Sequence, residues 1–333
     1  MSLCIDDAVM EENLAIMRPM LVIGVGGAGS RIAGSACNEA DSEFIVISND
    51  INDKVERNGF ILIDPKTWAN PSSYKLRSYA QESSRKIRDA LRGFDTLVMV
   101  ANLAGRGGSA IAPVVSRLAH EEASKKTVVS IVIMPFRFEK DRVFQAAISL
   151  KRIRDSSDAT IVLDNDAFIE NDPAIQLDQC YKKTNKALIQ TIGLVCRGDY
   201  KELGTSLLSS SDSNGGAEVA TADSVAMMYH NGYPGSIKNT LLYVMGGKKV
   251  SVGLLNSIVN NLKEIFTDVS TPGVSIVVSD GDKMNVSLLA SVEKTTRFDD
   301  YDPIAQIIPQ ENTLDWDDLD SSPDIELTIP NIE

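Results

Sequence analysis

Two glycine-rich stretches are the residues best suited to chemistry. Gly24-Val25-Gly26-Gly27-Ala28-Gly29 has the G-x-G-x-x-G spacing, follows a short apolar run and precedes a helical pattern. Glycines there let the backbone approach a phosphate, and the following helix offers unpaired N–H groups and a partial positive charge. Asp50, 21 residues after Gly29, stands where a dinucleotide fold keeps its ribose-binding acid. A tight turn without a ligand is the alternative reading. The second stretch is Asn102-Leu103-Ala104-Gly105-Arg106-Gly107-Gly108-Ser109-Ala110, followed by Ile111-Ala112-Pro113-Val114-Val115. A dinucleotide needs one such loop, whereas two in one sheet suit a nucleotide gripped from two sides.

Strands must deliver both loops to one edge. Apolar runs at 20–25, 44–48, 61–63, 96–101, 127–134 and 159–163 alternate with helical patterns at 29–40, 72–92, 109–124 and 141–156. That alternation predicts an α/β fold with a doubly wound, mostly parallel sheet. A long central helix is expected from Lys182 toward Leu208, although Gly193, Gly198 and Gly204 cost it about 1 kcal/mol each against Ala. A polar turn at 209–216 leads into a smaller second α/β unit. It comprises 222–229, a strand at 240–245, a helix at 253–266, and strands at 274–279 and 285–292. The expected division is an N-terminal extension (1–18), a nucleotide-binding domain (19–181), the central helix (182–208), a C-terminal α/β domain (209–297) and an acidic tail (298–333), mostly disordered.

The composition of the 333 residues, 43% hydrophobic and 24% charged, suits two globular domains. No run approaches the ~20 apolar residues of a membrane span. Asp6, Asp7, Glu11 and Glu12 interrupt any secretory signal. Cys4, Cys37, Cys180 and Cys196 have neither metal-site nor disulfide spacing, which predicts a reduced, cytoplasmic chain. His120 and His230 are too few and too separated for a metal site, so none is predicted. Of the net charge of −13, the stretch 298–333 carries eleven acidic and no basic residues. The remaining body holds 35 acidic against 33 basic residues, which argues against direct nucleic-acid binding.

From about 20 to 292 the ordered motifs resemble the FtsZ/tubulin family, nearer its prokaryotic branch and archaeal members. The second loop followed by Ala112-Pro113-Val114-Val115 is similar to that family's G-G-G-T-G-T-G signature before A-P-V-V. Met134-Pro135-Phe136-Arg137-Phe138-Glu139 with Arg142 resembles its ribose- and base-holding segment, one residue short. Leu163-Asp164-Asn165-Asp166 resembles I-P-N-D, and Tyr181-Lys182-Lys183-Thr184-Asn185 resembles F-x-x-A-N at the head of the central helix. Asp324-Ile325-Glu326-Leu327-Thr328-Ile329-Pro330 is similar to the family's partner-binding tail.

The resemblance implies a GTP/GDP site, with Mg2+ as a candidate companion. It would be built from Gly24, Gly26, Gly27, Gly29, Arg31, Gly105, Arg106, Gly107, Gly108, Ser109, Glu139, Arg142 and Asn165. Tyr181 would stack on the base and Asn185 would hydrogen-bond it. It also implies head-to-tail filaments and a role in cell division or another cytoskeletal task. Protein partners would be recruited through the acidic tail, and the membrane reached only through an adaptor.

The departures bear on turnover. Arg106 enters the signature loop, Arg31 replaces an Asn, and Thr67-Trp68-Ala69 replaces a phosphate-sensing glycine loop. Lys186 stands where the family reads guanine with an Asp. Two registers exist for the paired carboxylates that act on the next subunit's nucleotide. One uses Asp199 and Glu202 and shortens the central helix. The other, preferred, aligns 224–228 with a family strand and uses Asp212, with Gly215 in place of the second acid. Either predicts slow or absent GTP hydrolysis. A non-catalytic scaffold and an NAD-dependent dehydrogenase are the alternatives.

Overall fold

The computed structural model describes residues 13–301, apart from 41, 56–58, 65–70, 123–125, 214–215, 233–235, 247–250, 267–272, 279–283 and 294–295. Trp68, Gly215 and the tail from 302 onward, with Trp316 and the 324–330 motif, lie outside the described residues.

The strands are β1 (Met20–Val25), β2 (Glu43–Ser48), β3 (Gly59–Leu62), β4 (Thr96–Asn102), β5 (Thr127–Met134), β6 (Ala159–Asp164), β7 (Gly204–Ser213), β8 (Ile237–Gly246), β9 (Gly273–Val278) and β10 (Met284–Val292). They form one ten-stranded sheet in the order β3-β2-β1-β4-β5-β6-β7-β10-β8-β9. All pairings are parallel except β7 with β10 and β10 with β8. The helices are α1 (Gly26–Ala40), α2 (Ser73–Glu82), α3 (Ser84–Leu91), α4 (Arg106–Glu121), α5 (Lys140–Arg154), α6 (Asp166–Asn171), α7 (Leu177–Cys196), α8 (Ala217–Asn231) and α9 (Val252–Ile265). Strands β1, β5 and β6 are buried along their whole length, as expected of parallel strands covered on both faces. One apolar layer joins that sheet to α2 through α5, α8 and α9, and a second joins it to α1 and α7.

Three expectations are corrected. The central helix spans Leu177–Cys196, not 182–208. Gly198 is left-handed at φ 77° and its N–H donates to the Val195 carbonyl at 2.9 Å, a glycine stop signal just past the helix end. The chain beyond it is strand β7, where a helix and then a polar turn were expected. Leu207 and Leu208 fall in opposite apolar layers, and Ser206, Ser209, Ser210 and Ser211 are buried beside them. Residues 224–228 are helical, within α8, and not a strand. Finally, β7 to β10 continue the first sheet through the β6–β7 ladder and do not form a separate one.

Pro113 lies inside α4 and has no N–H for the Ser109 carbonyl. Ser149 of α5 donates its hydroxyl to that carbonyl at 2.8 Å, so the acceptor is satisfied and α4 is tied to α5 behind the second glycine loop.

Candidate functional site

A cleft of about 510 Å³ opens at the C-terminal edge of the strands, within the usual ~300–1,000 Å³ of ligand pockets. It is set by the turn from β4 into α4. Asn102 shapes that turn: its side chain accepts from the Ala104 N–H at 2.9 Å, and its carbonyl from the Gly105 N–H at 3.2 Å. A Cβ on Gly108 would fall 2.1 Å from the Asn102 oxygen, so only glycine permits this approach. Gly105, the N-cap of α4, supplies no side-chain cap. No side chain caps the first N–H groups of α4, and the start of that helix borders the cleft through Gly105, Ser109 and the exposed Arg106. Helix-end donors and a cation together favour an anion.

Glu139 and Arg142 form an ion pair at 2.5 Å on the adjoining wall, and Glu139 also accepts from the Phe136 N–H at 3.3 Å. Asn165 is buried, with its Oδ1 accepting from Thr184 at 3.0 Å, which leaves Nδ2 to donate. Tyr181 tilts against Phe136 at 6.2 Å, and Phe138 stacks on Phe136 at 5.1 Å. Burial first, then Glu139, holds the Tyr181 phenol above its ordinary range, so it is neutral near pH 7.

Gly105, Arg106, Ser109, Glu139, Arg142, Asn165 and Tyr181 thus share one cleft. Gly24, Gly26, Gly27, Gly29, Arg31 and Asn185 are not among its lining residues. The first-loop glycines serve close packing. A Cβ on Gly29 would sit 2.3 Å from the Val100 carbonyl oxygen, and one on Gly26 3.0 Å from the Gly108 nitrogen. Asp50, which a dinucleotide reading needs on a ribose, instead caps a short 3-10 turn by accepting from the Asn52 N–H at 2.9 Å. Sequence reasoning missed Ser73, Asp141 and Gln145 as lining residues. Their only signal is a place in the N-terminal halves of α2 and α5.

Asp212 is corrected as well. It lies on β7, not in a loop after the central helix, and pairs with Lys186 at 2.7 Å while accepting from Asn285 at 2.9 Å. The loop that does follow α7 carries Asp199 and Glu202, at the N-terminal edge of β7. Asp199 accepts from Arg197 and from Ser275, each at 3.2 Å, and Glu202 from Asn239 at 3.1 Å.

Behind the cleft, Asp164 ends β6. Its Oδ1 accepts from the Asp166 N–H at 3.0 Å, while its buried Oδ2 has no hydrogen-bond partner among the described residues. Burial first, then neighbouring Asp166, pushes the Asp164 carboxyl up to about 7. Arg137 donates to Asp166 from its backbone at 2.6 Å and its Nε at 3.2 Å, and reaches Glu170 at 3.2 Å. His230 sits between Arg137 and Arg297. Burial and then Arg137 hold it below its ordinary range, so it is neutral. Among the described residues no group of His, Cys, Asp and Glu is arranged to hold a metal ion.

Residues 19–172, which contain both glycine loops and the Glu139–Arg142 wall, match the Tubulin/FtsZ family, GTPase domain. This segment is a Tubulin/FtsZ-family domain. The dinucleotide alternative falls with that match. Cell division protein FtsZ 1 of Pyrococcus horikoshii is 29% identical over 197 residues, covering 56% of this chain and 52% of the relative. The namesake in Halobacterium salinarum is 27% identical over 180 residues, 51% of this chain and 45% of the relative. The chain spans about half the length of the curated relatives it matches. Among solved structures, the FtsZ dimer of M. jannaschii superposes with a TM-score of 0.65 at 20% identity, over 81% of this chain and 87% of that one. CetZ2 from Haloferax volcanii, solved as a GTPγS-bound protofilament, gives 0.66 at 16%, over 86% and 97%. These likenesses are of fold. No described helix is long and apolar enough to cross a membrane.

Proposed function

We propose that the chain binds GTP in this cleft and stacks head to tail into filaments serving cell division or a related cytoskeletal task, with little or no hydrolysis. The reading rests on the bare N-terminus of α4 beside Arg106. That arrangement suits the phosphates, with the Glu139–Arg142 pair in reach of a ribose and Tyr181, Phe138 and Asn165 available to a base. Of the two carboxylates at the cleft, Asp141 has no ion-pair partner among the described residues and is the one available to Mg2+ accompanying the phosphates. Lys186 is committed to Asp212 and leaves base recognition to other groups.

Head-to-tail stacking is supported by the opposition of the two ends. The cleft lies at the C-terminal edge of the sheet, and the Asp199–Glu202 loop lies beyond the far end of the 20-residue α7, about 30 Å away along its axis. An interface of unlike surfaces that does not close generates a filament. Little or no hydrolysis follows from the same loop, because both carboxylates already accept hydrogen bonds from their own subunit. That observation equally favours a scaffold that assembles without turnover.

Calorimetric titration with GTP, with ATP and NAD as competitors, tests the reading. Micromolar GTP binding that neither competitor displaces is the expected result. Absence of GTP binding refutes nucleotide-dependent assembly and leaves the scaffold, in which light scattering reports polymer without nucleotide.

A further inference from the structure

A second cavity, of about 620 Å³, opens between α2, α4 and α5, apart from the cleft. Pro113 and Val114 give it apolar lining, and Arg77, Arg117 and Arg152 give it positive charge, with Glu121 and Asp155 also present. Arg117 is taken by Glu121 at 2.9 Å. Arg77 and Arg152 have no ion-pair partner among the described residues, and the buried Nε of Arg77 has no hydrogen-bond acceptor. Burial, and then the charge of Arg152, hold the Arg77 guanidinium below its ordinary range. Two unpaired guanidiniums beside an apolar wall favour a ligand with carboxylates on an apolar body. Nothing in the nucleotide reading uses them.

Two residues near the end of the described chain are held at the C-terminal end of α5. Arg154 of α5 holds Asp299 at 2.7 Å and Thr296 at 3.0 Å, and Phe298 is buried with Tyr301 edge-on at 5.9 Å. Arg152, Asp155 and Ser156, close neighbours of Arg154 in sequence, line the cavity. Residues 302–333, which follow, carry nine acidic and no basic residues. Leu314, Trp316 and Leu319 alternate there with Asp315, Asp317, Asp318 and Asp320. Trp316 follows Tyr301 by 15 residues, a reach of up to about 50 Å in extended chain.

We infer that residues 313–320 dock in this cavity of their own molecule. Trp316 and its neighbouring leucines cover Pro113 and Val114, and the aspartates pair with Arg77 and Arg152. An aromatic ring supplies large apolar area at low entropic cost, and the unlike charges fix its place. Docked in this way, the tail is withheld from other partners until they compete for it.

The test uses the full chain with Trp68→Phe, so that only Trp316 emits, and reads acrylamide quenching. Shielding several-fold greater than in the free 302–333 peptide, unchanged on dilution, is expected. Arg152→Glu should abolish it, and adding Asp317→Lys with Asp318→Lys should restore it. Should Arg152→Glu unfold the chain by circular dichroism, the two tail substitutions alone report the same contact and should abolish shielding. Quenching equal to the peptide's, shielding that survives either charge reversal in a folded chain, or shielding lost on dilution overturns the inference.

Discussion

Replacing Asp164 by Asn isolates one buried carboxyl. Its folded-state pKa of about 7, against an ordinary 3.8, means that the folded chain keeps a proton which the unfolded chain releases above pH 4. Stability from this group is complete below its unfolded pKa and is lost as pH rises through the folded value. Each unit corresponds to 1.36 kcal/mol, so the shift sets an upper bound of about 4 kcal/mol, spread between roughly pH 4 and 7. Asp166 and Glu170 raise the value and Arg137 lowers it, so part of the effect belongs to the group of charges as a whole. Asn retains the Oδ1 acceptor for the Asp166 N–H and has no proton to lose. Urea unfolding at several pH values, with and without the substitution, measures the difference directly and cancels the titration of the remaining acidic residues. The stability of Asp164→Asn relative to the parent should rise by about 1 kcal/mol per pH unit from pH 5 to 7, then level off. Parallel curves, with no change of the difference with pH, would falsify the assignment of a retained proton to Asp164.

Three further outcomes follow from the site. Gly29→Ala brings a Cβ to 2.3 Å from a backbone oxygen and should cost about 1–3 kcal/mol, read as a lowered Tm. Gly93→Ala, at φ 85° with nothing within 4 Å, should cost only the ~1–2 kcal/mol of left-handed backbone. A larger loss at Gly93 contradicts the steric reading of Gly29. Arg106→Ala should weaken GTP about 5- to 10-fold, since a charge-assisted bond of ~1.5–3 kcal/mol is discounted here for exposure. Guanosine binding should be unchanged, and an equal loss for both ligands rules out a phosphate contact.

Much of the fold is legible in the sequence because parallel strands buried on both faces read as unbroken apolar runs. β1 and β5 fall where their residues predict them. β7 is hidden because its burial is polar. Ser210 accepts from Asn285 at 3.1 Å and lies 2.9 Å from the Ser287 hydroxyl, so this strand is held by hydroxyls that carry no apolar period. Leu203 and Leu207 extend a helical spacing past Gly198, and local backbone conformation overrides it. At the site, the α4 loop, Glu139, Arg142, Asn165 and Tyr181 are legible from their motifs. The first-loop glycines are ambiguous in sequence because the same residue type serves phosphate approach and helix-to-strand packing. The structure adds the packing use at Gly29, where a Cβ would meet the Val100 carbonyl.

The unbroken sheet also has a mechanical consequence. The cleft and the Asp199–Glu202 loop lie at opposite ends of the strands, so the axis of the head-to-tail filament proposed above would run along them. In such a filament the β6–β7 ladder, which pairs Ala159 through Leu163 with Gly204 through Leu208, would bear a pull in shear. Its hydrogen bonds must yield together, not one after another as in peeling from an edge. A subunit of this design would transmit tension through its middle with little stretch, leaving the compliance of the proposed polymer to the joints between subunits.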